Sequence, residues 1–408
     1  MALMTSCRAC LSTRMYMFLP LGDHPPANAF LRADQLERPE TRFALDTHAC
    51  LDCGLIQVPN VIPPDFFRDY LYVPSASDTM HEHFGALAST LQRDRATKDG
   101  LVVDIGSNDG LFLSKLNALG GRGLGIEPAT NLTLIARERG VEVVNEYFTP
   151  DLAADVRQRY GAARVIVTTN TFNHIDDLHT FMKGIVALLD SDGTFIVEVP
   201  HAGDLVEKNE FDTVYHEHVS EFSVKSIVDL YAFFDMHVAD IERLPVHGGS
   251  MRIFGKRGTP TAIPANVAAW LEGETRAGLT LKETYDAFRE RVESIRGQLL
   301  KMLAELKGQG QRIAGYGAPA KGNTLLNYYG IGPETLDYLA DRNELKHGLY
   351  SPGMRIPIVP AERVLEDQPD YLLILAWNFG DEIMRQQEQY RSRGGKFILP
   401  IPEPAIVG

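Results

Sequence analysis

The sequence predicts an α/β protein with three units: a small metal-binding unit, a central doubly wound sheet and a second α/β unit. Short apolar strands alternate with amphipathic helices from Gly100 onward, which is typical of a mostly parallel sheet. All cysteines fall near the N-terminus, and another strand with a glycine-rich turn begins at Arg312. We expect the unit boundaries at residues 1–70, 71–258 and 259–408.

The composition excludes several classes of protein. The chain has 408 residues, of which 44% are apolar and 23% charged, and this balance excludes a disordered or fibrous protein. Its 40 basic and 54 acidic residues give a net charge of −14, which disfavours non-specific nucleic-acid binding. The longest apolar run, residues 371–377, is too short for a membrane helix of about 20 residues. No secretory signal is visible, so we expect a cytoplasmic monomer or small homo-oligomer whose partner is a small molecule.

The four cysteines predict a zinc site. They are Cys7, Cys10, Cys50 and Cys53, which form two Cys-x-x-Cys pairs. Each pair can supply two thiolates from one tight turn, which favours a tetrahedral structural zinc ion. A reducing compartment disfavours disulfides, and a redox dithiol or inert free thiols remain the alternatives. A catalytic zinc is disfavoured, because four thiolates leave no open position on the metal.

The N-terminal and central units are assigned from their periodicity. Prolines interrupt residues 1–70, so a bound metal would help this unit to fold. Apolar residues at helical spacing predict a helix over 75–97. Beyond it we expect strands over 101–105, 123–127, 141–145, 164–170 and 193–200, and helices over 111–119, 131–140 and 178–189.

The third unit repeats this alternation after a connector over 259–264. A long amphipathic helix is expected over 281–307, followed by a strand over 312–317 that runs into the glycine-rich turn. A helix over 323–329 and strands over 336–341 and 371–377 complete the predicted unit.

The turn after the first central strand is a candidate cofactor site. Ligands of such sheets bind at the carboxyl ends of the strands, where Glu127 can accept both hydroxyls of a ribose. The alternatives are NAD(P) and S-adenosylmethionine. The Gly-x-x-x-Gly turn lacks the dinucleotide fingerprint and resembles motif I of class I methyltransferases, which favours S-adenosylmethionine. The candidate cofactor-binding residues are Asp104, Gly106, Ser107, Asn108, Gly110, Glu127 and, with less support, Asn170.

A second candidate site follows the fifth central strand, where Tyr215, His216, Glu217 and His218 are consecutive. A neutral imidazole can remove a proton from a carbon next to a carbonyl if the enolate is stabilised. An adjacent carboxylate can orient the imidazole, and a phenol can donate to the developing oxyanion. His174 is a further candidate. The alternative for these residues is a solvated turn, or histidines that are satisfied in the core.

Taken together, the motifs resemble the zinc-containing, S-adenosylmethionine-dependent C-methyltransferases of deoxysugar biosynthesis, which act on nucleotide-linked keto sugars for antibiotics. The resemblance spans essentially the whole chain. It implies a zinc domain, a class I methyltransferase domain with a Rossmann-like fold, and a C-terminal Rossmann-like α/β domain that contributes to nucleotide-sugar binding. The motifs are the paired Cys-x-x-Cys, Tyr70-x-Tyr72, DIGSNDG at 104–110, YHEH at 215–218, HGGSMR at 247–252, GYGAPAKG at 315–322, Asp341-x-Asn343 and PGMRIP at 352–357.

The resemblance also implies roles for individual residues. His218 matches the general base that takes the proton next to the ketone, and Tyr215 and Glu217 match residues that assist it. His174, Tyr70 and Tyr72 match residues placed around the sugar. The implied substrate-binding residues are Lys321, Arg252, Ser250 and Tyr316, of which Lys321 and Arg252 would hold the diphosphate.

The implied reaction is C-methylation of a dTDP-linked 4-keto-6-deoxy sugar at C3 or C5 through an enolate, with S-adenosylmethionine as methyl donor. An O- or N-methyltransferase that acts on a sugar or another small metabolite is the alternative, because a hydroxyl acceptor also uses a histidine base. A non-catalytic zinc- and nucleotide-binding scaffold is the third possibility. The intact Asp104, Glu127 and 215–218 cluster argue against it.

Overall fold

A computed structural model describes residues 5–93 and 99–408, which form three β-sheets connected by helices. The helix expected over 75–97 begins at Asp78 and is described as far as Arg93. The end of that expectation, residues 94–97, lies outside the described residues. Among the described helices, none combines the length and the apolar character that crossing a bilayer requires.

The elements of the first two units follow in chain order. The strands are β1 (Met15–His24), β2 (Phe43–Cys50), β3 (Ile56–Gln57), β4 (Leu101–Ile105), β5 (Arg122–Ile126), β6 (Val143–Val144), β7 (Ala163–Thr169), β8 (Leu189–Pro200), β9 (Ser220–Glu221), β10 (Met236–Leu244) and β11 (Ser250–Arg257). The helices are α1 (Asp78–Arg93), α2 (Leu111–Ala118), α3 (Thr130–Glu138), α4 (Pro150–Tyr160), α5 (Leu178–Leu188), α6 (Ala202–Glu207) and α7 (Val224–Ala232).

The remaining elements lie within residues 259–408, and the first of their helices packs against the central unit. The strands are β12 (Ile313–Tyr316), β13 (Leu339–Asp341), β14 (Ile358–Pro360), β15 (Tyr371–Ile374), β16 (Lys396–Leu399) and β17 (Ala405–Val407). The helices are α8 (Ala265–Ala277), α9 (Lys282–Gly308), α10 (Ala320–Tyr329), α11 (Arg363–Asp367), α12 (Gly380–Gln386) and α13 (Glu388–Ser392).

The central sheet has the strand order β10-β11-β8-β7-β4-β5-β6. The strands from β8 to β6 are parallel, whereas β10 and β11 add an antiparallel edge that the sequence analysis did not assign. Every residue of β4 is buried, as expected for a parallel strand with helices on both faces. The predicted mostly parallel, doubly wound sheet is therefore confirmed.

The C-terminal sheet has the order β14-β13-β12-β15-β16-β17, and only its last pair is antiparallel. The strand expected over 371–377 ends at Ile374, and α10 begins before the helix expected over 323–329. The preceding long helix, α9, buries apolar residues three or four positions apart, and this stripe holds it against the sheet.

The N-terminal sheet contains a strand from the central unit. Its order is β1-β2-β3-β9, in which Ile56 of β3 pairs with Glu221 of β9. The apolar cores are likewise shared: Phe18 and Leu45 pack in one cluster with α9, and Cys7 lies in the cluster beneath the central sheet. The first unit is therefore built into both of the larger ones.

Candidate active site

A cavity of about 650 Å³ lies where the carboxyl ends of the central and C-terminal strands face each other. Asp104 and Glu127 line it from the central sheet, and Tyr316 and Lys321 line it from the C-terminal unit. Tyr70 lines it from the end of the N-terminal unit. All three units therefore meet at one cavity, which lies at the edge of the sheet where α/β proteins generally bind their ligands.

The four cysteines converge, and their sulfur atoms all lie within 4.8 Å of one another. The Sγ atoms of Cys7 and Cys53 are 3.6 Å apart, as are those of Cys10 and Cys50. Zinc–sulfur bonds of about 2.3 Å at tetrahedral angles place neighbouring sulfurs about 3.8 Å apart. The four thiols therefore fit a zinc ion, and we call the turns 7–11 and 50–54 the first and second knuckle.

Each knuckle closes on a residue in the left-handed backbone region. Leu11 has φ +63° and donates its N–H to Cys7 O at 3.0 Å, and Gly54 has φ +75° and donates to Cys50 O at 2.8 Å. A Cβ on Gly54 would lie 3.2 Å from Leu279 Cβ, so glycine is favoured there for packing as well.

The candidate cofactor loop is shaped by its glycines. Gly106 has φ +77°, and a Cβ there would lie 2.1 Å from Thr171 Oγ1. Gly110 has φ +74°, and a Cβ there would lie 2.9 Å from Ala136 Cβ, so the close packing of the loop on α3 favours glycine. Asn108 between them also has a positive φ, +51°. The loop backbone consequently turns sharply beside the cavity.

The two carboxylates of this loop region are buried on the cavity wall. Glu127 accepts hydrogen bonds from the N–H groups of Asn108 and Ala129, each at 2.8 Å. Asp104 Oδ1 is buried without a hydrogen-bond partner among the described residues. Burial raises the pKa of Asp104, with help from the Glu127 charge, to about 8, and it raises the pKa of Glu127 to about 7. An unpartnered carboxylate at a ligand cavity fits a cationic ligand.

Asn170 and Ser107 also line the cavity, and Asn170 adopts φ +52° at the end of β7. Asp109, in contrast, pairs with Arg139 at 2.8 Å and is fully buried, so its carboxylate fixes the loop to α3. The predicted cofactor residues other than Gly110 therefore line the cavity together, at the ends of β4, β5 and β7.

His218 lies on the cavity wall between two polar partners. Its Nε2 is 2.5 Å from the hydroxyl of Tyr215, and its Nδ1 is 2.9 Å from Glu221 Oε1. Burial, with the charge of Lys321, lowers the pKa of His218 to about 3. The imidazole is therefore neutral at physiological pH and can accept a proton.

The carboxylate that contacts His218 is not the one that the sequence suggested. Glu217 points away from His218 and accepts hydrogen bonds from the Tyr70 hydroxyl at 2.5 Å and Asn28 Nδ2 at 2.7 Å. Burial raises the pKa of Glu217 to about 7. Because consecutive residues of an extended turn point in different directions, the neighbouring Glu217 orients Tyr70, while Glu221 orients the imidazole.

His174 and Tyr72 complete this end of the cavity. The ring of His174 lies 5.2 Å from that of His218, and burial lowers its pKa well below the usual histidine value. Tyr72 lines the cavity and keeps 39% of its surface exposed. Tyr70 and Tyr72 belong to residues 70–72, which we call the strap.

Three asparagine side chains hold the strap across the cavity. Asn131 of α3 donates to Tyr70 O at 2.7 Å and accepts from its N–H at 3.0 Å. Asn343 of the C-terminal unit donates to Leu71 O at 2.7 Å, and Asn108 of the cofactor loop donates to Tyr72 O at 3.1 Å. The strap therefore connects the cofactor loop with the C-terminal unit.

The comparison with known proteins agrees with this layout. Residues 7–67 match the family described as "Putative zinc binding domain", residues 80–235 match "Methyltransferase domain", and residues 245–402 match "C-methyltransferase C-terminal domain". C-methyltransferase NovU of Streptomyces niveus is 36% identical over 407 residues, covering 98% of this chain and 96% of NovU. The chain belongs to the zinc-containing, S-adenosylmethionine-dependent C-methyltransferase family.

Solved structures match the chain over a smaller part. Magnesium protoporphyrin IX methyltransferase (ChlM) from Synechocystis PCC 6803 with bound SAM is 12% identical and covers 44% of this chain and 79% of its own, with a TM-score of 0.34. The 1,6-didemethyltoxoflavin-N1-methyltransferase of Burkholderia thailandensis is 17% identical and covers 51% and 97%, also with a TM-score of 0.34.

This C-methyltransferase uses S-adenosylmethionine and zinc. The unpartnered carboxylate of Asp104 fits the cationic methionine end of S-adenosylmethionine, and Glu127 retains lone pairs for a ribose. The four thiols of the knuckles would hold the zinc ion, which in an all-thiolate site is structural.

Two of the residues expected to bind the C-methyltransferase's substrate lie away from the cavity. Arg252 is opposite Glu198 in the β11–β8 pair and forms ion pairs of 3.0 Å with both Glu198 and Glu242. Ser250 is fully buried and donates to Val246 O at 3.0 Å. Neither side chain lines the cavity, because the ion pairs of Arg252 and the hydrogen bond of Ser250 hold them elsewhere.

The other two expected residues, Lys321 and Tyr316, do reach the cavity of the C-methyltransferase. Lys321 lies at the start of α10, with its ammonium 4.4 Å above the Trp377 ring and without a hydrogen-bond partner among the described residues. Tyr316 accepts a hydrogen bond from Gln387 Nε2 at 3.0 Å. Lys321 is thus a cation available to an anionic ligand.

Sequence reasoning missed three residues of this site, Asn28, Glu221 and Lys346, and it quoted Asn343 in a motif without giving it a role. Glu221 is three residues after His218, and that spacing was a usable signal, because a turn brings such side chains together. No sequence signal pointed to Asn28, because its contact with Glu217 spans 189 residues of chain.

Proposed function

We propose that this C-methyltransferase methylates a dTDP-linked 4-keto-6-deoxy sugar at C3 or C5, through an enolate formed by His218. One observation carries the proposal: a neutral histidine is buried on the wall of a cofactor cavity between a phenol and a carboxyl group. S-adenosylmethionine, when bound, supplies an electrophilic methyl group. The substrate must therefore offer a carbon nucleophile, and a ketone offers one once a base of the protein has removed the acidic neighbouring proton.

The proton would move from the sugar carbon to Nε2 of His218, after the Tyr215 hydroxyl that lies 2.5 Å from this nitrogen has turned toward the ligand. The Nδ1 side of the ring lies 2.9 Å from Glu221, which holds the imidazole plane. Burial lowers the pKa of His218 to about 3, so the ring is free of its proton before the substrate binds. The Tyr215 hydroxyl and the His174 ring border the same space, and either can donate to the enolate oxygen.

Lys321 supports the assignment of a nucleotide-linked substrate. Its ammonium is free of hydrogen-bond partners among the described residues and lies at the first turn of α10, whose backbone N–H groups also favour an anion. A diphosphate at that position would leave the attached sugar between the strap tyrosines and His218. Arg252, which is held in its ion pairs, takes no part in this proposal.

Isotope exchange tests the enolate. We expect the enzyme to incorporate deuterium from heavy water into a dTDP-4-keto-6-deoxy sugar without S-adenosylmethionine, and to transfer a methyl group to that carbon with it. Mass spectrometry with fragmentation measures both, after subtraction of the non-enzymatic exchange. Methyl transfer without carbon exchange would instead indicate an O- or N-methyltransferase.

The substitution His218→Asn tests whether His218 is the base. We expect it to lower both exchange and methyl transfer by about 10²-fold or more, the usual contribution of a positioned base, while cofactor binding is retained. His81→Asn is a matched control, because His81 is an exposed histidine on α1 outside the cavity lining. Near-normal turnover of His218→Asn would reject the assignment of this residue.

A further inference from the structure

Arg8 links the first zinc knuckle to the wall of the active site. It lies between Cys7 and Cys10, yet its side chain is only 7% exposed and extends away from the thiols. Its N–H donates to Gln57 Oε1 at 3.1 Å, which ties the turn of the knuckle to β3. A buried guanidinium needs several hydrogen-bond acceptors. The groups that accept from Arg8 therefore show which parts of the chain it holds together.

One group of acceptors lies directly behind His218. Arg8 Nη1 donates to Val219 O at 3.1 Å and to Val58 O at 2.8 Å. Val219 follows His218 in the chain, and its carbonyl also accepts the N–H of Val58 at 3.2 Å. The β3–β9 ladder has only two residues in each strand, so the guanidinium extends a pairing that is short by itself.

A further acceptor lies behind His174. Arg8 Nε donates to Asp176 Oδ1 at 2.8 Å, and Asp176 is two residues after His174 on the cavity wall. The guanidinium thus contacts the chain next to both site histidines, whose rings are 5.2 Å apart. Its planar fork of donors fixes the two contacts relative to each other, which a lysine ammonium would not do.

The second knuckle holds the far end of the same segment. Cys53 O accepts the hydroxyl of Ser223 at 2.6 Å, and Ser223 is the N-cap of α7. Residues 219–223 are therefore tied at one end to Arg8 and at the other end to Cys53. Glu221, which contacts His218 Nδ1, lies midway between these two attachments.

We infer that Arg8 is a positioning residue for catalysis, through which the zinc knuckle sets the relative placement of His174 and His218. The inference rests on the proposed role of His218 as base. Arg8 touches neither ligand nor reacting atom, so its removal should lower the catalytic rate and leave both binding steps nearly unchanged. A small displacement of a base from its reacting carbon is sufficient for a large loss of rate.

Arg8→Ala and Arg8→Lys test the inference on the zinc-loaded full-length enzyme. For Arg8→Ala we expect kcat to fall about 10- to 100-fold, with the KM of the nucleotide sugar and the Kd of S-adenosylmethionine changed less than about threefold. Arg8→Lys should lose less, because an ammonium can keep one of the two attachments. Zinc content by mass spectrometry and the thermal midpoint report on the fold independently of activity.

Arg14→Ala is the matched control, since Arg14 pairs with Asp52 on the exposed side of the knuckles and should leave kcat unchanged. The inference is overturned if Arg8→Ala keeps its kcat, or if kcat in both Arg8 variants falls only as far as zinc content or folded fraction. His218→Asn in the same assays separates the two proposals. Activity that survives His218→Asn rejects the base, whereas activity that survives Arg8→Ala while His218→Asn is inactive rejects the positioning role.

Discussion

Asp104 and Glu127 titrate near neutral pH, because both carboxylates are buried beside the cofactor loop. Since their pKa values are about 8 and about 7, both carboxyl groups are mainly protonated in the free enzyme at pH 6. A cationic ligand favours the ionised forms, so binding S-adenosylmethionine should release protons, and affinity should rise with pH. For Glu127 alone, we expect the Kd to improve about tenfold between pH 6 and pH 8.

Calorimetric titration at pH 6, 7 and 8, in buffers with different ionisation enthalpies, measures affinity and proton release together. Asp104→Asn removes one titrating group at nearly constant size and should flatten the pH dependence. A Kd that is constant over this range, with no proton released, would contradict the assignment of these carboxylates to the cofactor.

For individual residues, the sequence predicted well which ones reach the cavity, but it predicted poorly which of them contact each other. Strand ends fix where Asp104 and Glu127 lie, because a parallel sheet gathers its carboxyl ends. The partner of His218 depends on the path of one turn, and Glu221 was therefore overlooked in favour of Glu217. Arg252 carried the right charge for a diphosphate, but its cross-strand neighbour Glu198 already neutralises it.

Helix α7 begins at the N-cap residue Ser223, whose hydroxyl makes two hydrogen bonds. The Ser223 hydroxyl accepts the N–H of Ser226 at 2.9 Å and donates to Cys53 O at 2.6 Å. Ser223→Ala should cost about 2–3 kcal/mol of stability, since it removes the cap and leaves a buried carbonyl without its donor.

Thr149→Ala is the matched control, because Thr149 caps α4 through one bond to Leu152 N–H at 3.2 Å near the surface. It should cost only about 1 kcal/mol. Thermal and urea unfolding of the two zinc-loaded variants gives the comparison, and equal losses would show that the bond from Ser223 to Cys53 adds nothing.

Elements with a clear local pattern were predictable, but length alone was not sufficient, because β10 and β11 were not assigned from the sequence. The stripe of α9 and the apolar run of β4 each extend over enough residues for their period to be read. β9 has two residues, and its partner β3 lies more than 160 positions earlier, so local periodicity carries no information about it. That unpredicted strand is the one that holds Glu221.

Across the whole molecule, the zinc unit shares its apolar cores with both larger units. Cys7, Cys50 and Cys53 pack in the cluster under the central sheet, whereas Phe18 and Leu45 pack with α9 and the C-terminal sheet. Loss of the metal would therefore loosen more than the first 70 residues.

We expect a zinc chelator to lower the midpoint of the main thermal transition by at least about 5 °C, without splitting off a separate N-terminal transition. Differential scanning calorimetry with and without chelator, and after zinc is restored, measures this. A main transition that stays unmoved, with only a small early one appearing, would mean that the zinc unit is independent of the rest.

Neutral amide side chains hold the strap by hydrogen bonds, although ionisable groups line the cavity beside it, with Asp104 and Glu127 in the central unit and Lys321 in the C-terminal unit. Asn108, Asn131 and Asn343 donate to it through dipoles, whose strength ionic screening hardly changes. The approach of an anionic nucleotide to Lys321, in contrast, is long-range and depends on ionic strength. Added salt should therefore change the rate of substrate capture while leaving the hydrogen bonds that hold the strap almost unchanged.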